Sequence, residues 1–399
     1  MLVLVAPGQG AQAPGFLSPW LDVPGFADRL TWWSAVADLD LVHYGTEADA
    51  ETIRDTAIAQ PLLVASGLAA ILAVFPDPAE AFRQVGAVAG HSVGELTAAA
   101  ATGVITAESA MALVRERGRA MAAAAAVTST SMTAVLGGER DEVLAKIAEH
   151  GLTPANDNGP GQIVAAGTVE QLTAFEADGP EKARLRRLEV AGAFHTEHMA
   201  PAVARLEQLA KGVDVRDPRV RYISNRDGRV VRSGREVVDR IVRQIANPVR
   251  WDLCMDAMRE LGVTGILEVP PAGTLTGIAK RNLKGVDLFA LKTPDQLDAA
   301  RAFVAEHAAA HDAGDTDDAA PGSGLLIAPF AGTVQRGRAA VGSELSPGEH
   351  VATVASRGEE QKLFAEHGGT VLEWLVQDGD PVSPGQPLIR IHPKAEALV

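Results

Sequence analysis

Ser92 stands in Gly90-His91-Ser92-Val93-Gly94-Glu95, at the end of an apolar run that includes Val88 and Ala89. An apolar run closing in Gly-x-Ser-x-Gly builds a strand, a sharp turn and a helix, with the serine on the turn. Side chains at the two glycines would collide with the neighbouring strand and helix as the turn tightens. That geometry lifts the hydroxyl into an open site and aims the first helical amides at any charge developing there. Ser92 therefore reads as a nucleophile that carries an acyl group. A serine hydroxyl is a poor nucleophile at neutral pH and needs a base. The candidate is His195, in Ala193-Phe194-His195-Thr196-Glu197-His198-Met199, with His198 one helical turn further on. Acyl transfer also needs an oxyanion site. The amide of Val93 offers one donor, and the amide of Gln9, in the loop Pro7-Gly8-Gln9-Gly10-Ala11-Gln12, offers another.

A second cluster, Arg115-Glu116-Arg117-Gly118-Arg119, belongs to a helix opened by Thr106-Ala107-Glu108 and running to about Ala126. Helical spacing puts Arg115 and Arg119 on one face. Arg117 points the other way, with Val114 and Met121. An arginine on an apolar side wants a carboxylate partner.

These residues must be held by a scaffold, and the rest of the chain describes one. Hydrophobic residues make up 47% of the 399, enough for a large core, and charged residues make up 22%. The length predicts two or three domains. Strand and helix patterns alternate from residue 1 to about 125: a strand over Val3–Val5, a helix over Pro61–Val74, a strand over Val85–Ala89 and its helix over Val93–Ala101. Such alternation predicts a parallel sheet with helices on both faces, and loops at the strands' carboxyl ends then converge on one crevice. From 127 to 192 the order becomes βαββαβ, the arrangement of small ferredoxin-like domains. Its strands are read at Met132–Leu136, Leu152–Ala155, Gln162–Ala166 and Ala183–Val190. The α/β pattern resumes at 193 and runs to 306. The fold class is thus α/β, a hydrolase-like large subdomain of residues 1–126 and 193–306 with a ferredoxin-like insert at 127–192.

Composition excludes several classes. The formal net charge is −15 and no basic run interleaves with aromatics, so nothing favours nucleic acid. The longest apolar stretch, Ala59–Phe75, contains Gln60, Pro61, Ser66 and Gly67 and reads as a buried core helix, not a membrane span. The amino-terminal run Met1–Ala6, turning at Pro7-Gly8, is too short and uncharged for a secretory signal and reads as a strand. The single cysteine, Cys254, permits no disulfide within the chain, fits a reducing cytoplasm, and reads as a buried structural thiol.

The large domain resembles malonyl-CoA:acyl carrier protein transacylases of fatty acid synthesis, most of all actinobacterial members, and is similar to acyltransferase domains of polyketide synthases. The resemblance is carried by Pro7–Gln12, Gly90–Glu95, Arg117-Gly118-Arg119-Ala120-Met121, Asn156–Gly167, Gly192-Ala193-Phe194-His195, Ser224-Asn225, Gln244–Trp251 and Glu268–Gly273, in family order over about residues 1–300. It implies Ser92 as nucleophile, His195 as base and then acid, Gln244 as the residue orienting the histidine, and the amides of Gln9 and Val93 as the oxyanion hole. It implies Arg117 as the clamp on the malonyl carboxylate, with Met121, Phe194 and Asn156 beside the substrate. The Phe194 ring would exclude a methyl branch on the acyl α-carbon. The implied substrates are malonyl-CoA and a phosphopantetheinylated acyl carrier protein, with no metal or other cofactor. Two other readings share these residues: a polyketide-pathway acyltransferase with another acyl preference, and a serine hydrolase with water as acceptor. Most such hydrolases orient the histidine with an acid, where this chain has Gln244. Carrier proteins are acidic, so docking is expected on basic residues: Lys280 and Arg281, near Lys284, or Lys182, Arg184, Arg186 and Arg187 on the small subdomain.

Residues 307–324 are acidic and small, a flexible linker. Beyond them Gly332-Thr333-Val334 recurs as Gly369-Thr370-Val371 and Ser346-Pro347-Gly348 as Ser383-Pro384-Gly385, each offset by 37 residues. Short β-branched runs between Gly and Pro turns predict an all-β module with twofold pseudosymmetry. Residues 325–393 resemble the biotinyl/lipoyl carrier fold. Active carriers of that family display a lysine on the hairpin that joins the halves. Here the hairpin is Ala355-Ser356-Arg357-Gly358-Glu359-Glu360, with Gly358 in the lysine's place and Lys362 four residues into the return strand. A register slip that moved Lys362 to the tip is costly in a packed sheet, so no biotin or lipoate is expected. The module is read as a tethered binding domain for a partner the sequence does not identify.

Overall fold

The computed structural model describes residues 1–190, 192–308, 324–365, 368–383 and 386–392, in two compact units, Met1–His311 and Asp312–Val399. In the first unit, Leu2–Ala6 is buried along its whole length and forms a central strand. A run apolar on both faces is what a parallel strand covered by helices requires. Its sheet has the order Asp287–Ala290, Gly265–Glu268, Leu2–Ala6, Ala87–Gly90, Arg221–Ile223, Val230–Val231, parallel except for the last, antiparallel pair. Leu2 and Leu4 pack into one core and Val3 and Val5 into another, so alternate residues of one strand seed the layers on the two faces.

Two long helices of the same unit pack against each other. Thr56–Val74 is the one helix among the described residues long and apolar enough to span a bilayer, but its side chains line the core of the unit. Ala107–Ala125 is capped by Thr106, whose hydroxyl accepts the Ser109 amide. The two helices touch at Gly118, where a Cβ would lie 2.9 Å from the Thr56 carbonyl oxygen. That close approach sets Arg117 against the first turns of the apolar helix.

The small subdomain's strands are Thr130–Gly137, Thr153–Asp157, Gln162–Thr168 and Ala183–Arg187, with helices Arg140–Glu149 and Val169–Ala177. Their order, Ala183–Arg187, Thr130–Gly137, Gln162–Thr168, Thr153–Asp157, is that of a ferredoxin-like sheet. A fifth strand joins its edge: Val249–Arg250, from the large subdomain, pairs in parallel with Asn156 and Asp157. The sequence reading missed this two-residue seam, which ties the insert to the segment following Gln244.

In the second unit two four-stranded antiparallel sheets face each other. One has the order Gly324–Ile327, Pro387–His392, Gly369–Trp374, Glu344–Leu345; the other Glu360–Ala365, Glu349–Ala355, Gly332–Arg336, Pro381–Val382. A shift of about 37 residues maps each strand onto the corresponding strand of the opposite sheet. Val334 and Val371, and Leu345 and Val382, are buried equivalents. Ala355 pairs with Glu360, and the Ser356 amide donates to the Glu359 carbonyl at 2.8 Å, closing a tight hairpin with Gly358 open to solvent. Lys362 pairs with Thr353 within the strand, as the repeat register requires. Of the expected linker, residues 307 and 308 instead complete the helix Leu297–Ala308, Gly324 opens a strand, and 309–323 lie outside the described residues, as do Pro384 and Gly385 of the repeat.

Candidate active site

The strand Ala87–Gly90 runs into the helix Gly94–Ala101 through a turn on which Ser92 has φ 54°. A Cβ on Gly90 would lie 2.0 Å from the Gly94 carbonyl carbon, and one on Gly94 would lie 2.2 Å from the Ala6 carbonyl oxygen. Neither position admits a side chain. The loop after Leu2–Ala6 closes on the same turn, since a Cβ on Gly8 would lie 3.0 Å from His91 Nδ1 and 3.6 Å from Ser92 Cβ. His195 also has a left-handed backbone, φ 63°. Left-handed non-glycine residues cost roughly 1–3 kcal/mol and persist only where their surroundings enforce them.

Those surroundings bring the expected groups together. Ser92 Oγ lies 2.7 Å from His195 Nε2 and 3.4 Å from Arg117 Nη2. His195 Nδ1 donates to the main-chain carbonyl of Gln244 at 2.8 Å, which leaves the Nε2 lone pair facing the serine hydroxyl. The orienting acceptor at Gln244 is thus its backbone, not its side chain. Burial, and the nearby Arg117 charge, push His195 down to about 3, so the imidazole is neutral across the physiological range.

Arg117 is fully buried. The carboxylate partner expected from its apolar face is not in direct contact. Its guanidinium donates instead to two neutral carboxamides, Nη1 to Gln60 Oε1 at 2.7 Å and Nη2 to Gln244 Oε1 at 3.0 Å, while Nε has no partner among the described residues. Burial draws it down to about 10, so it stays charged at neutral pH. Arg115 and Arg119 face outward as expected, to the Val36 carbonyl and to Asp38. Two oxygens thus grip the cation without neutralising it, beside a nucleophile. Such a site favours an incoming anion.

Among the hydrogen bonds of the described residues, the Gln9 and Val93 amides donate to no protein acceptor. The Gln9 side chain braces its loop through the Arg54 carbonyl and Thr56. Met121 is buried, and its sulfur accepts from the Nε2 of Gln60, the same residue that holds Arg117. Phe194 is buried next to His195. Asn156 is buried in its strand, and the asparagine that reaches the nucleophile turn is Asn158, whose Oδ1 lies 2.9 Å from His91 Nε2. Lys280 and Arg281 are exposed on the last turn of Thr274–Asn282, with Arg281 donating to Gln162 of the small subdomain. Cys254 is buried and its thiol donates to the Ser224 carbonyl. Sequence reasoning gave no role to Gln60, Glu95, Asn158 or Asn225. Asn225 Oδ1 accepts the Ser92 amide at 2.8 Å and its Nδ2 donates to the Gly90 carbonyl at 2.6 Å. The available signals were a lone glutamine in an apolar helix and polar residues inside the quoted motifs. Among the described residues, no group of three or more His, Cys, Asp or Glu is placed to hold a metal ion.

A serine on a strand–turn–helix elbow, a histidine bonded to it and a shared parallel sheet define an α/β protein of the nucleophile-elbow class. The chain belongs to the acyl transferase domain family, whose model matches residues 3–315. It is 51% identical over 298 residues to the malonyl CoA-acyl carrier protein transacylase of Mycobacterium tuberculosis, covering 75% of this chain and 98% of the relative. The Escherichia coli K12 protein of the same name is 32% identical over 307 residues, covering 74% and 97%. The crystal structure of the Mycobacterium tuberculosis enzyme superposes with a TM-score of 0.72 at 50% identity over 75% of this chain and 99% of that one. A type II polyketide acyl carrier protein in complex with its malonyl-transacylase gives a TM-score of 0.70 at 28% identity, over 75% and 99%.

Proposed function

We propose that this chain is an [acyl-carrier-protein] S-malonyltransferase of fatty acid synthesis. It moves malonyl from malonyl-CoA to the phosphopantetheine thiol of an acyl carrier protein through an ester on Ser92. The observation that carries this reading is the buried Arg117 cation, held directly by two neutral carboxamides 3.4 Å from the Ser92 hydroxyl. A site for neutral acyl groups has no use for such a charge, whereas a malonyl thioester brings a carboxylate a short reach from its reacting carbonyl. The conserved names of the relatives point the same way.

In the first half-reaction Ser92 Oγ attacks the thioester carbonyl carbon and its proton passes to His195 Nε2. The Gln9 and Val93 amides hold the resulting oxyanion. The carbon–sulfur bond breaks, and the coenzyme A sulfur takes the proton from His195. In the second half, the carrier thiol gives its proton to His195 and its sulfur attacks the ester. The carbon–oxygen bond breaks and Ser92 recovers the proton. Ping-pong kinetics follow. The substrate carboxylate also offsets the Arg117 charge that weakens His195, so malonyl binding strengthens the base. Gln60 and Met121 steady the clamp. Phe194 borders the acyl group, and its ring selects malonyl over branched acyl units. Lys280 and Arg281 form part of the basic surface that receives the carrier. A cytoplasmic setting fits the single buried thiol, Cys254.

Incubation with malonyl-CoA and holo-carrier, followed by intact-mass measurement of the carrier, tests the reading. Malonylated carrier is expected. Free malonate with unmodified carrier would make the protein a hydrolase.

The carboxyl-terminal unit is proposed to be an unmodified binding domain. Biotin and lipoate attach through an amide to a primary amine, and the hairpin tip Ser356-Arg357-Gly358-Glu359 offers only a guanidinium, which stays protonated. Co-expression with biotin and lipoate ligases is expected to leave the intact mass unchanged. A gain of either prosthetic group would overturn this.

A further inference from the structure

Behind the nucleophile turn lies a buried carboxylate that neither half-reaction touches. Glu95 is 1% exposed. Its Oε1 accepts the Asn225 amide at 2.7 Å and its Oε2 accepts Gln244 Nε2 at 2.6 Å. Each partner reaches the reacting groups by its next bond. Asn225 holds the Ser92 amide and the Gly90 carbonyl. Gln244 Nε2 also donates to the Ser92 carbonyl at 3.2 Å, its side-chain oxygen takes Arg117 and its main-chain oxygen takes His195. One carboxylate therefore stands two links from nucleophile, base and guanidinium.

The chemistry of the groups makes this more than connectivity. A carboxamide can be turned over, exchanging its donor and acceptor ends. Turned over, Gln244 would point its NH2 at the Arg117 N–H groups and break the clamp. An ionised carboxylate only accepts, so it holds the NH2 end of Gln244 toward itself and the oxygen toward Arg117. We propose that Glu95 is a positioning residue, an acceptor-only anchor that sets the orientation of Gln244 and the backbone of Asn225 and so aligns Ser92, His195 and Arg117 for acyl transfer. The inference rests on the reading of Ser92 as the acylated residue.

Burial raises Glu95 to about 7, against the weaker opposing pull of Asn225, Tyr222, Arg117 and Arg240. The charged or titratable groups facing it do not change state near neutrality. Tyr222 and Cys254 are pushed well above their usual values, Arg117 lies near 10 and Arg240 is raised. His195, the base, titrates near 3. Protonating Glu95 weakens both acceptor oxygens, so kcat/KM is expected to fall as pH drops through about 7. Stability moves the other way. A carboxyl raised from about 4.5 in the unfolded chain to about 7 in the folded one binds more protons when folded, so its contribution to stability grows on acidification across that window. Activity loss between pH 7 and 5 with undiminished thermal stability therefore separates positioning from unfolding.

The experiment is the pH dependence of malonyl-CoA kcat/KM in the wild type and in Glu95→Gln, with intact-mass detection of the acyl-enzyme in both. The variant presents an NH2 to one of two donors. It is expected to lose about 100-fold in kcat/KM at pH 8, the scale of a small misplacement of reacting groups, and to lose the limb near 7. A variant with wild-type kcat/KM and an unaltered limb would overturn the proposal. If the variant does not fold, the wild-type profile decides, since a flat profile between pH 8 and 5 is equally fatal. Wild-type protein that never gains malonyl mass would instead remove the underlying reading of Ser92.

Discussion

Ser92→Ala is expected to yield no malonyl-enzyme and to lower transfer to the carrier about a million-fold, the scale seen when a nucleophile of this kind is removed. The substitution deletes one oxygen and leaves the Cβ in place. The turn keeps its glycines, its Asn225 bond to the residue 92 amide and its φ of 54°, strained alike for serine and alanine. Stability should hardly change. His195 loses only its 2.7 Å partner. Intact-mass analysis after exposure to malonyl-CoA checks the first expectation, and a coupled assay of released coenzyme A checks the second. A variant that still acquired an acyl mass would place the covalent step on another residue.

Arg117→Ala is expected to lower kcat/KM for malonyl-CoA about 30- to 4,000-fold, since removing one partner of a buried charge pair costs about 2–5 kcal/mol. Transfer of an uncharged acyl group such as acetyl should fall much less, because the hydroxyl, imidazole and oxyanion donors remain. The Gln60 and Gln244 oxygens then face a gap able to hold water. The substitution also removes a cation that depresses His195, so the imidazole's own titration should move upward from about 3, a shift that lies beneath the activity limb near 7 set by Glu95. Parallel kinetics with malonyl-CoA and acetyl-CoA would check the fall for each substrate. Unchanged malonyl kinetics would remove the clamp from the mechanism.

Much of this was legible because the relevant signals are local. Gly-x-Ser-x-Gly dictates the turn, and the 3.6-residue period separates Arg117 from Arg115 and Arg119. The βαββαβ rhythm gives the insert, and the 37-residue repeat gives the second unit. The helix Phe26–Ala37 left weaker marks. Gly25 caps it with no side-chain hydrogen bond, so the usual start signal is missing. The strand Val249–Arg250 is two residues long, too short for any period. The partners of Arg117 were misjudged for a physical reason. Helical spacing tells which way a side chain points but not what another element places there. A buried cation usually meets a carboxylate, whereas this one meets Gln60 and Gln244. The same limit hid Glu95, whose donors lie about 130 and 150 positions away in the chain.

The bond between His195 and the main chain of Gln244 has an evolutionary corollary. A carbonyl oxygen belongs to whatever amino acid occupies the position, so codon changes there alter the grip on the guanidinium while leaving the imidazole's anchor intact. Acyl preference can therefore shift at this locus while the imidazole keeps its anchor. A descendant could trade its charged cargo for a neutral one without first surrendering its base.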